Sequence, residues 1–572
     1  MMTTDWKRSA AGILTALIAL AAGINAEEPE LRVGIFTDTH IRETEQSCQL
    51  SRKAFELFKK HKVDMVVHLG DLADRHYPEG YKIYRRYFDE VFGDKKPREI
   101  YISASHDRIG IKTKAGFDSD MQKFKNALNI QHRICDKLVV KGYPFLIYPD
   151  FPDYPLEKKM TDDIREMVKT HPGKPIFILD HVPPYDTTEN SRILSCSSRR
   201  KVFDQFPQVI HFSGHTHNSL RNERCIWQGN FTEVNAGCLS TWTGTLVGNG
   251  PLPRKKSDEV IVMEVFPRKI LLRRYSVSDG SEIRPETPWC IALPFDPQNA
   301  PYNPAVRKAH STAPKFPAGS KIAVKAAGNP FHKIDFSFPE ALHPEGCYHY
   351  NILLEKKMPS GNYETITQKE EFGQFHLKEA QRKSINRTSF NAGIFVPNEN
   401  YRITVIPQNF YGLSGTPLRQ EFKTGVPYCG KIVFESDNPE KSCIFRTGIS
   451  GGRVLESHDG FFQYRGNNTR LVFPEGIWNG PKGTHFRIVI NMDIEQPQNS
   501  NWSLALWSTG SSGITRIVTP SGKVSNFLAS IDFKKRNSDD SYFLLLRGRY
   551  PGKVAFRCVR IEKFEKASRN NN

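Results

Sequence analysis

Short apolar runs alternate with amphipathic stretches over the first half of the chain, from Leu31 to about Val277. "RVGIFTD" (32–38), "DMVVHLG" (64–70), "REIYISA" (98–104), "PIFILDH" (175–181) and "QVIHFSG" (208–214) are each brief and rich in β-branched or aromatic residues, which predicts strands. Between the first two, Leu50, Ala54, Leu57 and Phe58 recur at i, i+4, i+7 and i+8, the spacing of a helix that buries one face. "EGYKIYRRYFDEVFG" (79–93) repeats that pattern before the third strand. "KLVVKGYPFLIYP" around Gly142 and "DEVIVMEVFPRKILLRRYSV" around Pro267 and Arg268 read as hairpins. Strand–helix alternation followed by hairpins predicts a layered α/β domain and not a pure Rossmann sheet.

Beyond it the periodicity changes. Residues 278–317 are dense in proline and predict a linker or a surface strap. From 318 to 427 only strand patterns recur, among them "KIDFSF", "YHYNILLE" and "NYRITVIPQNFYGLSG". The last resembles part of a fibronectin type III sandwich. Residues 428–566 are again all-β, with "THFRIVINMDIEQ", "NWSLALWS", "YFLLLRG" and "KVAFRCVRIEKF", and resemble a jelly-roll sandwich of the carbohydrate-binding kind. Trp502 and Trp507, five apart, face opposite sides of an extended strand. One can fill the core while the other stacks on a sugar ring, although core packing explains either.

The N-terminus adds a destination. Lys7 and Arg8, an apolar stretch from Ala10 to Gly23 and small residues ending at Ala26 have the order of a secretory signal peptide spanning residues 1–26. No later stretch is apolar for long enough to cross a bilayer. The expected protein is exported: periplasmic, extracellular or on the cell surface. Its 572 residues exceed one core. Ten cysteines permit up to five disulfides in such a compartment, with Cys225–Cys238 and a pairing of Cys443 with Cys429 or Cys558 as candidates. They lack the CxxC spacing of a structural zinc cluster. A formal charge of +18 favours anionic partners, but no basic run is interleaved with aromatics, so nucleic acid is disfavoured.

Chemistry collects at the predicted strand exits: "TDTH" (37–40), "GDLAD" (70–74), "ASHD" (104–107), "LDHVPP" (179–184) and "GHTHN" (214–218). Asp38 with His40, and His215 with His217, are i, i+2 pairs whose side chains point the same way in extended backbone. His68 and His211 read as ordinary strand residues. A mixed carboxylate–imidazole set suits Fe, Mn or Zn and not calcium.

The five blocks in this order resemble the calcineurin-like metallophosphoesterases, whose pattern is DxH, GDxxD, GNH(D/E), an isolated His and GHxH. The resemblance covers residues 31–277 and implies a four-layer α/β/β/α sandwich, followed here by two all-β sandwich domains. It further implies two metal ions. Asp38, His40 and His217 would hold the first, and Asp71 would bridge both. His181, His215 and residue 105 would complete the second, and His106 would protonate the leaving oxygen. The implied reaction is hydrolysis of phosphate mono- or diesters by a metal-activated hydroxide. Residue 105 departs from the pattern, because Ser105 stands where the family has Asn. The alternative is a surface or glycan-binding protein with a degenerate metal site. Asp74, Asp107, Tyr185 and Asn218 lie beside the ligands as orienting or loop residues, and Arg75 and Arg108 are candidates for phosphate contact.

Overall fold

A computed structural model describes residues 27–564, apart from 75–76, 109–121, 123, 134, 150–155, 193, 243–254, 327–332, 392–393, 397, 425–429, 448–461, 465–468, 496–502, 510, 519–522 and 548–551. The signal segment expected at 1–26, Arg75, Cys429 and Trp502 therefore lie outside the described residues, as does the side chain of Arg108. Two compact units divide the chain, the first comprising residues up to Leu220, Cys225–Trp242 and Lys256–Asn303.

Two sheets form the first unit. Strands β1 (Leu31–Phe36), β2 (Met65–His68) and β3 (Arg98–Tyr101) run parallel, linked by helices α1 (Glu45–Lys60) and α2 (Pro78–Phe92). Thr44 caps α1 by accepting from the Ser47 amide, which satisfies one of the first-turn donors. The second sheet runs in the order β4–β5–β6–β7–β9–β8, from β4 (Asp136–Val140), β5 (Tyr143–Ile147), β6 (Ile176–Leu179), β7 (Val209–Ser213), β8 (Ile226–Gln228) and β9 (Thr232–Asn235). Helices α3 (Leu156–Thr170) and α4 (Ser197–Phe203) belong to this half. The β4–β5 turn places Lys141 and Gly142 at φ 49° and 80°, both left-handed, as a tight two-residue hairpin requires.

The first sheet is completed by β10 (Glu259–Phe266) and β11 (Lys269–Ser276), with Phe266 paired to Lys269 across the two-residue turn at Pro267 and Arg268. Strands β12 (Ser281–Ile283) and β13 (Trp289–Ala292) both pair with β11. Part of the segment expected to be linker, 278–317, is therefore sheet. Trp289 and Ile291 alternate inward within "RPETPWCIALP", and a four-residue strand carries too short a period to stand out among prolines.

Three apolar cores follow from the strand alternation. One joins the two sheets through Val33, Ile35, Met65 and Val67 with Phe145, Phe177, Ile210 and Phe212. A second packs Phe55, Phe58, Tyr84 and Phe88 of α1 and α2 against Phe36, Val66 and Val260. The third sets Met160 and Ile164 of α3 and Val202 and Phe203 of α4 against Ile176, Ile178 and Val209.

The second unit, Arg221–Arg224, Thr243–Lys255 and Pro304–Asn572, is rich in β-sheet. A three-stranded and a four-stranded sheet share a core of Phe336, Phe338, Tyr350, Ile352, Ile403 and Val405. Farther along, two five-stranded sheets enclose Trp478, Phe486, Ile488, Leu504, Leu506 and Leu544. Trp507 is half-buried on the other side of its strand, against Ala505, Phe543 and Leu545.

The expected disulfides are not formed among the described residues. Cys225 instead packs in the inter-sheet core and its thiol donates to the Ser219 carbonyl at 3.4 Å. No described helix is long and apolar enough to cross a membrane.

Gly34 lies under the Phe58 ring, which a Cβ there would approach to 2.6 Å. Gly34→Ala is expected to destabilise the first unit by about 1–3 kcal/mol through this overpacking, read as a lowered urea midpoint for its unfolding transition.

Candidate metal centre

Every metal-type side chain predicted from the sequence sits just beyond the carboxyl end of a strand. Asp38 and His40 follow β1, Asp71 and Asp74 follow β2, His106 follows β3, His181 follows β6, and His215 and His217 follow β7. The first two exits are zipped together by backbone. Asp38, His40 and Ile41 donate to the carbonyls of Gly70, Asp71 and Leu72 at 3.0, 3.2 and 2.9 Å. His68 tightens the same pair: it accepts from the Gly70 amide through Nδ1 at 3.2 Å, so its Nε2 donates to Thr39 Oγ1 at 3.1 Å. Burial keeps this ring neutral, with a pKa lowered to about 3.

This approach is possible only with special backbone. Asp38, His40, Asp71, His215 and His217 all have positive φ, between 45° and 67°. Gly214 fits so closely that a Cβ would stand 2.1 Å from Thr37 Oγ1 and 2.5 Å from Asp38 Oδ2. At Gly70, with φ 106°, a Cβ would stand 2.8 Å from His181 Nδ1.

Two triads of ligand atoms result, Asp38–His40–His217 and Asp71–His181–His215, each with its atoms within 4.8 Å of one another. In the first, His217 Nε2 lies 3.1 Å from Asp38 Oδ1 and 3.0 Å from His40 Nε2. His40 Nδ1 faces Asp74 Oδ1 at 2.7 Å, which leaves the Nε2 lone pair of a neutral ring directed at the triad. In the second triad His181 Nδ1 donates to the Leu69 carbonyl at 2.9 Å, so its Nε2 lone pair points at Asp71 Oδ2, 3.2 Å away. His181 Nε2 also lies 4.0 Å from Asp38 Oδ1, which brings the triads side by side.

Lone pairs facing lone pairs require a proton or a cation between them. Asp38 is wholly buried, and its Oδ1 has no hydrogen bond of good geometry. Burial alone would raise its pKa, but His217 and His181 hold it well below the carboxylate range. Asp71 is likewise brought down to about 2, against its burial, by His181. In return, despite burial, His40 rises to about 9 through Asp38 and Asp74, and His217 rises well above the usual imidazole value beside Asp38. Without metal the pocket takes up protons to meet the charge of its carboxylates. This donor set and charge fit two divalent ions.

Exposure grades the site from floor to rim. Asp38 and His181 are 0% exposed, whereas the His106 side chain is 46% exposed. His106 donates its backbone amide to Asp71 Oδ1 at 2.9 Å, and its Nδ1 stands 3.7 Å from Asp74 Oδ1. Asp74 therefore faces both a triad imidazole and this rim histidine, which form a third close group. Ser105 is exposed on the same turn. Tyr185 is 43% exposed.

Asp107 has a more definite place than the sequence suggested. It is buried, and its two oxygens accept the amides of Ala73 and Ala104 at 2.9 and 3.0 Å, pinning the second and third strand exits together. Burial and the Asp71 charge raise its pKa to about 7. Asn218 is buried too, and donates to the Glu189 carbonyl and Thr216 Oγ1. Its spacing beside "GHTH" could not separate that loop-holding role from a part in the cleft.

Residues 31–219 match the family model of the calcineurin-like phosphoesterases. This part of the chain is a calcineurin-like phosphoesterase domain. All six residues of the two triads fall within that match. Among solved structures, the chain is similar to a dimetal phosphatase from Danio rerio at 9% identity, aligning 43% of this chain with 96% of that one at a TM-score of 0.33. A purple acid phosphatase from yellow lupin (Lupinus luteus) seeds aligns at 14% identity, over 44% of this chain and 52% of its own, with a TM-score of 0.33. The chain thus spans about half the length of the lupin protein. No curated protein matches the chain.

A metal ion bound between these groups would displace these protons. The His40 contribution to the metal-free fold is complete below its unfolded pKa of about 6.5 and is lost as pH rises through about 9. Metal-free protein is therefore expected to lose thermal stability between pH 6.5 and 9, with Mn²⁺ restoring it most at the alkaline end. Calorimetry in buffers of different ionisation enthalpy is expected to show net proton release on binding.

Proposed function

We propose that the chain is an exported dinuclear-metal phosphohydrolase that cleaves phosphate mono- or diesters. The observation that carries this reading is the adjacency of two buried carboxylate–imidazole triads to one exposed histidine on the rim. Asp38, His40 and His217 would hold one ion and His181 and His215 the other, with Asp71 between them. When bound, the two ions clamp a phosphoryl group and supply the acidity that makes water a nucleophile near neutral pH. His106 then delivers a proton to the departing alkoxide, and Asp74, 3.7 Å from its Nδ1, orients the ring. The surrounding imidazoles keep Asp38 and Asp71 ionised despite their burial, while the rim stays open to an ester.

The finer architecture belongs to the same reading. The three cores of the first unit support a four-layer α/β/β/α sandwich. The paired sheets of the second unit suit a fibronectin type III-like and a jelly-roll-like domain; a glycan partner for the latter rests on the sequence resemblance alone. Export rests on residues 1–26 alone.

Purified protein with added Mn, Fe or Zn is expected to hydrolyse aryl phosphate mono- or diesters, with Asp71→Ala abolishing turnover. His106→Ala is expected to slow esters with alkyl leaving groups by about 10²–10⁴-fold, and p-nitrophenyl esters far less, because that leaving group needs no proton. Equal loss on both classes removes His106 from the acid role.

Ser105 bears on the second ion. Its exposed hydroxyl sits on a shorter arm than the amide the family places there. Ser105→Asn is expected to tighten Mn²⁺ binding at the weaker site by about 10-fold, measured by titration. One ion per wild-type chain with no turnover on any phosphate ester would instead favour a degenerate, glycan-binding protein.

A further inference from the structure

Behind the metal centre, on the helix-facing side of the second sheet, lies a set of ionisable groups that the proposed chemistry does not use. Strand register puts His211 of β7 opposite Glu233 of β9 and Ser213 opposite Asn235. Asp180, His211, Ser213, Glu233 and Asn235 are all 0% exposed, and Arg199 of α4 is 6% exposed. Their surroundings are otherwise apolar: Ile176, Ile178, Val202, Phe203 and Phe231 form the core on this face, and the Phe203 ring stands 5.0 Å from that of His211. Four ionisable side chains in such a layer carry a heavy desolvation cost, and apolar residues of the same volume would often serve stability as well or better.

Their contacts run toward the ligands. The Arg199 guanidinium pairs with Asp180, with Nη2 donating to Oδ1 at 3.1 Å. The same Oδ1 accepts the backbone amide of His181 at 2.6 Å. His211 stands between the acids, with Nδ1 on Glu233 and Nε2 3.9 Å from Asp180. Glu233 Oε1 accepts from Ser213 Oγ at 2.6 Å, and Asn235 donates to the Gly214 carbonyl at 2.6 Å. One end of the chain thus grips the backbone of a triad residue, His181. The other reaches Ser213 through Glu233, and Asn235, which also donates to Ser213 Oγ at 3.4 Å, grips Gly214 just before His215, the triad's other imidazole.

We infer that Arg199, Asp180, His211 and Glu233 form a buried positioning relay that sets the His181 and His215 backbones for the second metal ion. This inference rests on the dinuclear reading above. The four are positioning residues, since none contributes an atom to either triad. The relay joins helix α4 to three adjacent strands, β6, β7 and β9, so it fixes the separation of two ligands that come from different strands. That is a task apolar packing performs poorly, because it is not directional.

The test compares Co²⁺ titrations of wild-type protein, Arg199→Met, Glu233→Gln and the multiple variant Asp180→Asn/Arg199→Met/His211→Phe/Glu233→Gln. Cobalt d–d absorption reports occupancy and geometry, and metal-free thermal unfolding reports the fold. The relay predicts a roughly 10–100-fold loss of affinity for the second Co²⁺ and an altered spectrum in every variant, including any whose metal-free midpoint equals that of wild type. A variant that is less stable while its folded fraction titrates like wild type, with the same spectrum, overturns the relay in favour of a structural role. Wild-type protein that takes up no second Co²⁺ overturns the dinuclear reading itself, a distinguishable outcome.

Discussion

Two carboxylates withdrawn from water govern this domain. Asp38 and Asp71 lie on the floor of the site with almost no exposure, where an uncompensated charge is prohibitively costly. Four imidazoles, His40, His181, His215 and His217, surround them, and the demand for positive charge reaches back into the backbone. Five of these six residues adopt left-handed conformations, which cost on the order of 1–3 kcal/mol each unless the surroundings impose them. What imposes them here is the zipper between the first two strand exits, the amide clamp of Asp107, and the fit of Gly214 against Thr37 and Asp38. The two apolar cores on opposite faces of the first sheet hold this floor in place.

Much of this was legible in the sequence. Strand exits with ligand-type residues are local patterns, and both hairpin turns, at Lys141–Gly142 and Pro267–Arg268, fell where the chemistry of the turn puts them. The two triads assemble from the residues singled out by those blocks. Residues that act through backbone were not legible. Asp107 looked like a neighbour of His106, but its partners are amides 34 and three positions away. His68 and His211 read as strand filler because polarity at one strand position does not reveal its cross-strand partner. Glu233 carried no local signal at all, since only the register of β7 and β9 makes it face His211. The cysteines misled for a related reason. Their even number suggested pairing, whereas Cys225 is used as a small core residue.

Exposure also explains where the chain departs from the family pattern. A change at Asp71 would strand buried imidazoles beside an emptied pocket, a penalty felt by the fold itself. Residue 105 lies on an exposed turn, where water solvates whatever side chain is present and the fold bears no cost. The amide–carboxylate bond from His106 to Asp71 anchors that turn through backbone, independent of the side chain at 105. A substitution at 105 therefore leaves the floor and the backbone anchor of His106 undisturbed. The division is physical: burial locks the groups that create the electric field of the site, and exposure leaves the rim turn free to vary.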